Sequence, residues 1–167
     1  VMGYHILKTN TIDLPDIHDL NQHALPAVSS ITLNDMTQFL EMADYFRVIK
    51  VKNDIAGFLI ALTPGKDYQS PNYKWFEKHY TQFMYVDRIV IDPAFQGQGL
   101  GRAFYDDLKI FSQGLAPVIT CEVNLRPPNE GSIFFHEKYG FEHVGTQETE
   151  GEQKEVSLMA YKIPFNM

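Results

Sequence analysis

The sequence is short of sulfur. Its 167 residues include one cysteine, Cys121. A lone thiol cannot close an internal disulfide, so nothing implies an oxidising compartment. Cys121 lies in the apolar run 118–123 and reads as a small buried hydrophobe. Basic residues are also scarce: 14 Lys and Arg stand against 21 Asp and Glu, a net charge of −7. That deficit excludes a surface that coats nucleic acid, which needs a basic face. It leans toward cationic partners such as amines, although an acidic surface also serves solubility alone. No apolar stretch approaches the roughly 18 residues that cross a bilayer. The first residues show no charged segment followed by an apolar one, so no secretion signal is read and a cytoplasmic location is expected. Metal-ligand spacing is missing too. His18 and His23 stand five apart, one more than a shared helical site requires, and no cysteine joins them, so no metal is expected.

What is present suffices for a core. Hydrophobic residues make up 44% of the chain and aromatics 13%, which excludes disorder. At about 150 residues per domain, the expectation is one domain over 1–167.

The pattern along the chain predicts a strand over 4–8, a helix from Pro15 with Ile17 and Leu20 on one face, and a loop over 24–31. A second helix is expected over 34–44, its stripe being Met36, Phe39, Leu40 and Ala43, with Thr32 and Asp35 at capping-box spacing. Two strands, 45–51 and 55–63, flank the turn residues Lys52-Asn53-Asp54 and read as an antiparallel hairpin. Residues 66–80 read as a long polar and aromatic connection, and 82–91 as a strand stopped by Asp92-Pro93. A glycine-rich segment opens a helix whose stripe is Leu100, Ala103, Phe104, Leu108 and Phe111, ending at Gly114. A strand over 117–123, a short helix from Asn129 to Gly140, and strands over 141–146 and 155–163 complete the chain. The order β-α-α-β-β-β-α-β-α-β-β predicts an α/β (α+β) fold, a mixed, mostly antiparallel sheet of about seven strands flanked by about four helices.

The most informative stretch is Ile89 to Arg102. A strand runs into Gln96-Gly97-Gln98-Gly99-Leu100-Gly101-Arg102, and these run into a helix. Main-chain N–H groups at a helix start bind phosphate, and glycines let the backbone approach it. The segment lacks the Gly-Lys-Ser/Thr of a P-loop. It also lacks the third glycine of a dinucleotide fingerprint, where Arg102 stands. Gln96, Gly99 and Gly101 instead match Gln/Arg-x-x-Gly-x-Gly/Ala without a gap. With the Ile-Asp-Pro strand end before it, and Asn129, Ser132 and Lys138-Tyr139-Gly140-Phe141 after it, the chain resembles the GNAT acetyltransferase superfamily.

The resemblance implies acetyl-CoA as co-substrate. Its pyrophosphate would lie on Gln96–Arg102, with Asn129, Ser132 and Phe135 beside the cofactor. A main-chain N–H of Ile89, Val90 or Ile91 would polarise the acyl carbonyl. It also implies transfer of an acetyl group to an amine by direct attack in a ternary complex. The attacking ammonium must first lose a proton. Glu122 is the first candidate base. It interrupts an apolar strand, alternation places it with Thr120 and Asn124 on one face, and Glu122-Val123 resembles the base-bearing pair of the family's fifth strand. An exposed strand carboxylate would look the same. Asp87, on the fourth strand, is the second candidate, as base or amine anchor. Arg88 after it points to the other face, and Tyr85 before it could hold a water relay. Where many relatives carry a catalytic tyrosine, seven residues after Asn129, this chain has His136. Its imidazole could return a proton to the thiolate, or simply pack beside the cofactor and leave that proton to solvent or Tyr139.

The aromatic run from Tyr68 to Tyr85 reads as an acceptor-side wall or as a covering flap or dimer contact. The expected acceptor is a small amine or a peptide amine, and the expected assembly a homodimer through the last two strands or the 68–80 connection. The alternatives are a coenzyme A-binding sensor with a degenerate centre, favoured by His136 in place of tyrosine, and a nucleotide-binding enzyme.

Overall fold

Helix starts in this chain are written in short polar residues. Thr32 accepts a hydrogen bond from the Asp35 N–H at 3.0 Å while Asp35 accepts from the Thr32 N–H at 3.2 Å, a reciprocal cap for α2 (Leu33–Met42). Met36 and Phe39 are its buried residues, whereas Leu40 and Ala43 stay half-buried. The helix before it, α1 (Leu14–His23), has Pro15 in its first turn and buries Leu14 and Ile17. The computed structural model of the chain describes residues 3–164.

The strands are β1 (His5–Lys8), β2 (Tyr45–Val51), β3 (Asp54–Leu62), β4 (Met84–Ile91), β5 (Val118–Arg126), β6 (Glu142–Thr149) and β7 (Lys154–Lys162). They form one seven-stranded sheet in the order β1-β2-β3-β4-β5-β7-β6. It is mixed: β4 and β5 run parallel, while β1–β2, β2–β3, β5–β7 and β6–β7 are antiparallel. The expected hairpin turns at Lys52, whose φ of 59° is the left-handed conformation that the turn demands.

The remaining helices are α3 (Pro71–His79), α4 (Leu100–Ser112) and α5 (Glu130–Tyr139). There are thus five helices among the described residues where the sequence predicts four. The addition is α3, which occupies most of the segment read as a connection. Ser70 caps it by accepting the Tyr73 N–H at 3.3 Å, Pro71 opens it, and Tyr73 and Phe76, three apart, are buried. The cap and the Tyr73/Phe76 spacing stand in the sequence. The density of aromatic and polar residues masks them, because only two buried positions mark so short a helix.

Contacts divide the chain into two units. The first holds residues up to Leu62 with Arg88–Ile110, and the second Thr63–Asp87 with the residues from Phe111 onward. In the first, Ile17, Met36, Phe39, Val48, Ile49, Phe58, Leu59, Ile60, Phe104 and Leu108 are buried to 4% exposure or less. Arg88 is buried there as well, donating to Asn21 Oδ1 at 2.9 Å, Ser29 O at 3.0 Å and Ser29 Oγ at 3.1 Å. It therefore ties α1 and the 24–31 loop to β4, a buried cation satisfied by three acceptors. In the second unit, Tyr73, Phe76, Phe83, Tyr85, Ile119 and Leu158 are among the fully buried core residues. Cys121 is buried, as expected.

Candidate active site

In the first unit, β4 ends at Ile91 and the chain passes through a single turn at Pro93–Phe95 into the glycine segment. Gly97 and Gly99 have φ of 78° and 77°, the left-handed region where a Cβ is strained. A Cβ placed on either would meet nothing within 4 Å, so the loop presents bare backbone to open space. Gln96, Gly97, Gln98 and Gly99 are exposed. The first helical hydrogen bond of α4 runs from the Ala103 N–H to Gly99 O at 3.0 Å. The N–H groups of Leu100, Gly101 and Arg102 precede it and have no partner within the helix. An exposed loop with paired left-handed glycines, leading to helix N–H groups outside the helical ladder, fits the diphosphate of coenzyme A. The Gln96 amide donates to Ile91 O at 3.1 Å and straps the loop to the strand end.

The second unit holds the carboxylates. Tyr85 of β4 lies beside Thr120 of β5 in register, so Tyr85, Asp87, Thr120 and Glu122 share one face of the sheet. The Tyr85 hydroxyl donates to Glu122 Oε1, and the Tyr68 hydroxyl donates to Asp87 Oδ1. Asn72 of α3 also hydrogen-bonds Glu122. Burial pushes Glu122 up to about 7, and the Asp87 charge adds to this, against the bonds from Tyr85, Asn72 and its own backbone. Tyr85 is raised well above its ordinary value by burial and by Glu122 and Asp87, so its hydroxyl stays protonated and donates. Taken as a whole residue Glu122 is half-buried, but its carboxyl end lies on the buried side, where desolvation is the largest influence on it. The arrangement can hold a proton near neutrality on a carboxyl group with a second anion next to it.

His136 lies in α5 and is 3% exposed. Its Nδ1 is 2.7 Å from Ser132 O, and 3.3 Å from Ser132 Oγ. A carbonyl only accepts, so in the neutral ring Nδ1 carries the hydrogen and Nε2 is the acceptor nitrogen. Burial lowers its basicity, and the Ser132 carbonyl opposes this. Its ring sits edge-on to Phe135 and Phe141 at 5.2 and 5.1 Å. Asn129 caps α5, accepting the Ser132 N–H at 3.3 Å. Ser132 and Phe135 are half-buried on the same helix.

The aromatic run is largely core. Tyr73, Phe76, Phe83 and Tyr85 pack edge-on or tilted, with ring centres 5.5 to 6.1 Å apart in the pairs that touch, and the Tyr73 hydroxyl donates to Thr63 O at 2.7 Å. Trp75 stacks on His79 and covers Gly145. Tyr68 reaches a candidate carboxylate from outside β4. Asn72 and Gln147, which meet at 2.8 Å, carry no mark in the sequence that singles them out. Asn72 becomes legible only once 71–79 is a helix. Among the described residues no group of three or more His, Cys, Asp or Glu comes together to hold a metal ion, and no helix is long and apolar enough to cross a membrane.

Residues 14–141 match the model of the Acetyltransferase (GNAT) family. The chain belongs to that family, whose members transfer acetyl groups from acetyl-CoA. The fold agrees with solved structures. Ard1 from Thermoplasma volcanium superposes with a TM-score of 0.80 at 16% identity, over 97% of this chain and 99% of that one. The ribosomal-protein-S18-alanine N-acetyltransferase of Escherichia coli gives 0.72 at 19% identity, over 99% and 97%. The protein yncA from Salmonella typhimurium, solved with its cofactor acetyl-CoA, gives 0.72 at 16%, over 99% and 96%. No curated protein matches the chain significantly in sequence.

Proposed function

We propose that this protein transfers an acetyl group from acetyl-CoA to a primary amine of a small molecule or peptide, by direct attack in a ternary complex, with Glu122 as the base. The carrying observation is the Glu122 carboxyl, raised by burial to about 7 and held by Tyr85 and Asn72. A base that titrates near the working pH is ionised often enough to act, and basic enough to take an ammonium proton. Asp87, with Tyr68 on one oxygen, supplies the second negative charge and anchors the cationic acceptor.

When bound, acetyl-CoA supplies an activated thioester. On this reading Gly97–Arg102 hold its diphosphate by main-chain N–H groups, Gln96 holds the loop in shape, and the Arg102 side chain adds charge. Asn129, Ser132 and Phe135 are assigned to the coenzyme by their match to the family's second motif, and a main-chain N–H of Ile89, Val90 or Ile91 to polarising the acyl carbonyl. His136 packs: a buried neutral imidazole with its hydrogen committed to Ser132 O is in the wrong form to protonate a thiolate, and solvent or Tyr139 takes that part. The reading places the protein in the cytoplasm as one catalytic domain, acidic enough to avoid nucleic acid, and as a homodimer, which light scattering over a wide dilution range checks.

The test is thiol release from acetyl-CoA over a panel of polyamines, amino acids and peptide N-termini. With the best acceptor, Glu122→Gln should lower kcat by roughly 10²- to 10⁴-fold and leave coenzyme A affinity unchanged. Full turnover in Glu122→Gln would remove the base. Tight acetyl-CoA binding with no turnover on any amine would overturn the enzyme and leave a coenzyme-binding protein.

A further inference from the structure

Helix α3 meets strand β6 at two points. Asn72 and Trp75, three apart and so on one face of the helix, stand against Gln147 and Gly145, two apart and so on one face of the strand. A Cβ on Gly145 would come within 2.7 Å of Trp75 Cζ2, so the ring lies directly on the backbone there. Beside it, Gln147 Nε2 donates to Asn72 Oδ1 at 2.8 Å. Together with the acceptor-only carboxylate on the other side, that bond orients the Asn72 amide. Its oxygen is occupied by Gln147, so its Nδ2 is the end that bonds Glu122. A carboxylate can only accept, and Asn72 in this orientation can only donate to it.

We propose that Asn72 and Gln147 are positioning residues for the acetyl-transfer site: Gln147, on the sheet's edge strand, fixes the Asn72 amide so that it donates to Glu122 and holds that carboxylate in one place. The inference rests on Glu122 being the base. Neither residue touches the reacting atoms. Tyr85 holds Glu122 Oε1 from β4 and Asn72 approaches from α3, so the carboxylate is clamped from two elements. Glu122 itself is on β5 and Gln147 on β6, the last strand of the sheet. A residue on an outer strand thus governs the base through a single side-chain relay.

The relay has a signature that a mere tether lacks. A donor to the ionised form favours that form, so its removal raises the carboxyl's pKa. In Asn72→Ala, and in the isosteric Asn72→Asp, Glu122 should titrate about one pH unit higher, and in the second variant the new carboxylate adds a further anion. Gln147→Leu should raise it by about half as much, because the Asn72 amide is then able to turn. Gln147→Glu should exceed Gln147→Leu, since a carboxylate at 147 draws Asn72 Nδ2 to itself and turns the oxygen toward Glu122. The measurement is ¹³C NMR titration of the Glu122 side-chain carboxyl in the full chain labelled at glutamate. The acid limb of kcat should move upward with it. Unchanged Glu122 titration in folded Asn72→Asp and Gln147→Leu would overturn the relay, whatever happens to thermal stability. Full turnover in Glu122→Gln would instead overturn the base, and the NMR titration would still report on the relay alone.

Discussion

At the scale of single residues, Glu122 and His136 pull stability in opposite directions with pH. Glu122 is raised in the folded chain to about 7 from an ordinary value of 4.5. Between those values the folded state holds a proton that the unfolded state has lost, so stability falls as pH rises through this window. Above it the folded chain carries a poorly solvated anion at a cost of a few kcal/mol at most. Glu122→Gln should therefore stabilise the protein at pH 8 and do little at pH 4, read as Tm differences by calorimetry at the two values. A Tm gain equal at both would detach the effect from ionisation. His136 is lowered by burial. The unfolded chain takes up its proton near pH 6.5 and the folded chain only below that, so its contribution is present above that pH and lost as pH falls. His136→Phe should keep turnover within about threefold and lessen the loss of stability on acidification. A loss of 10²-fold or more with intact coenzyme affinity would restore His136 as the thiolate's acid.

These residues are unequally legible in the sequence. Glu122 shows itself as a charge inside an apolar strand, and Asp87 by its place on β4. Their partners do not show. Tyr85–Glu122 spans 37 positions and Gln147–Asn72 spans 75. Such pairs arise from strand register and helix seating, which periodicity does not encode. The burial of His136 is hidden for a similar reason. Counting from Asn129 finds its turn of the helix, but not the Phe135 and Phe141 rings around it.

At the scale of elements, caps and turns are the clearest writing. Asp92-Pro93 stops β4, Thr32 and Asp35 start α2, and Asn129 and Gly140 bracket α5, where Gly140 has φ of 124°. The glycine segment is legible because its geometry is local: two left-handed residues and a helix start need no distant partner. That locality makes it separable from the fold. Gly99→Val puts a β-branched side chain at φ 77° in open space, so the strain, about 1–2 kcal/mol, stays in the loop. Coenzyme A affinity by calorimetric titration should fall at least tenfold while far-UV circular dichroism stays that of the parent. Unchanged affinity in the folded variant would remove the loop from coenzyme binding. The hidden element is α3. Its nine residues carry only two buried positions, and its identity is set by packing of Trp75 on Gly145 as much as by its own sequence.

For the whole molecule, the order of elements carries the fold class, because seven strands and their connections leave few topologies open. The division into two units is not legible. It cuts β4 between Asp87 and Arg88 and α4 between Ile110 and Phe111, inside continuous elements where composition does not change. A boundary that runs through a strand and a helix is a poor place for independent domains, which separate at exposed linkers. The matched family model, over 14–141, also draws on both units. The single catalytic domain proposed above has a direct test in the sole tryptophan, Trp75, which lies in the second unit. Its fluorescence reports on the second unit, whereas far-UV circular dichroism averages over all helices and strands. In one cooperative domain the two denaturant transitions must share a midpoint and slope. Saturating coenzyme A, on the proposal that the glycine segment of the first unit holds it, should then raise the Trp75 midpoint as much as the dichroism midpoint. Trp75 unfolding at its own midpoint, indifferent to coenzyme, would divide the protein into two domains that fold separately.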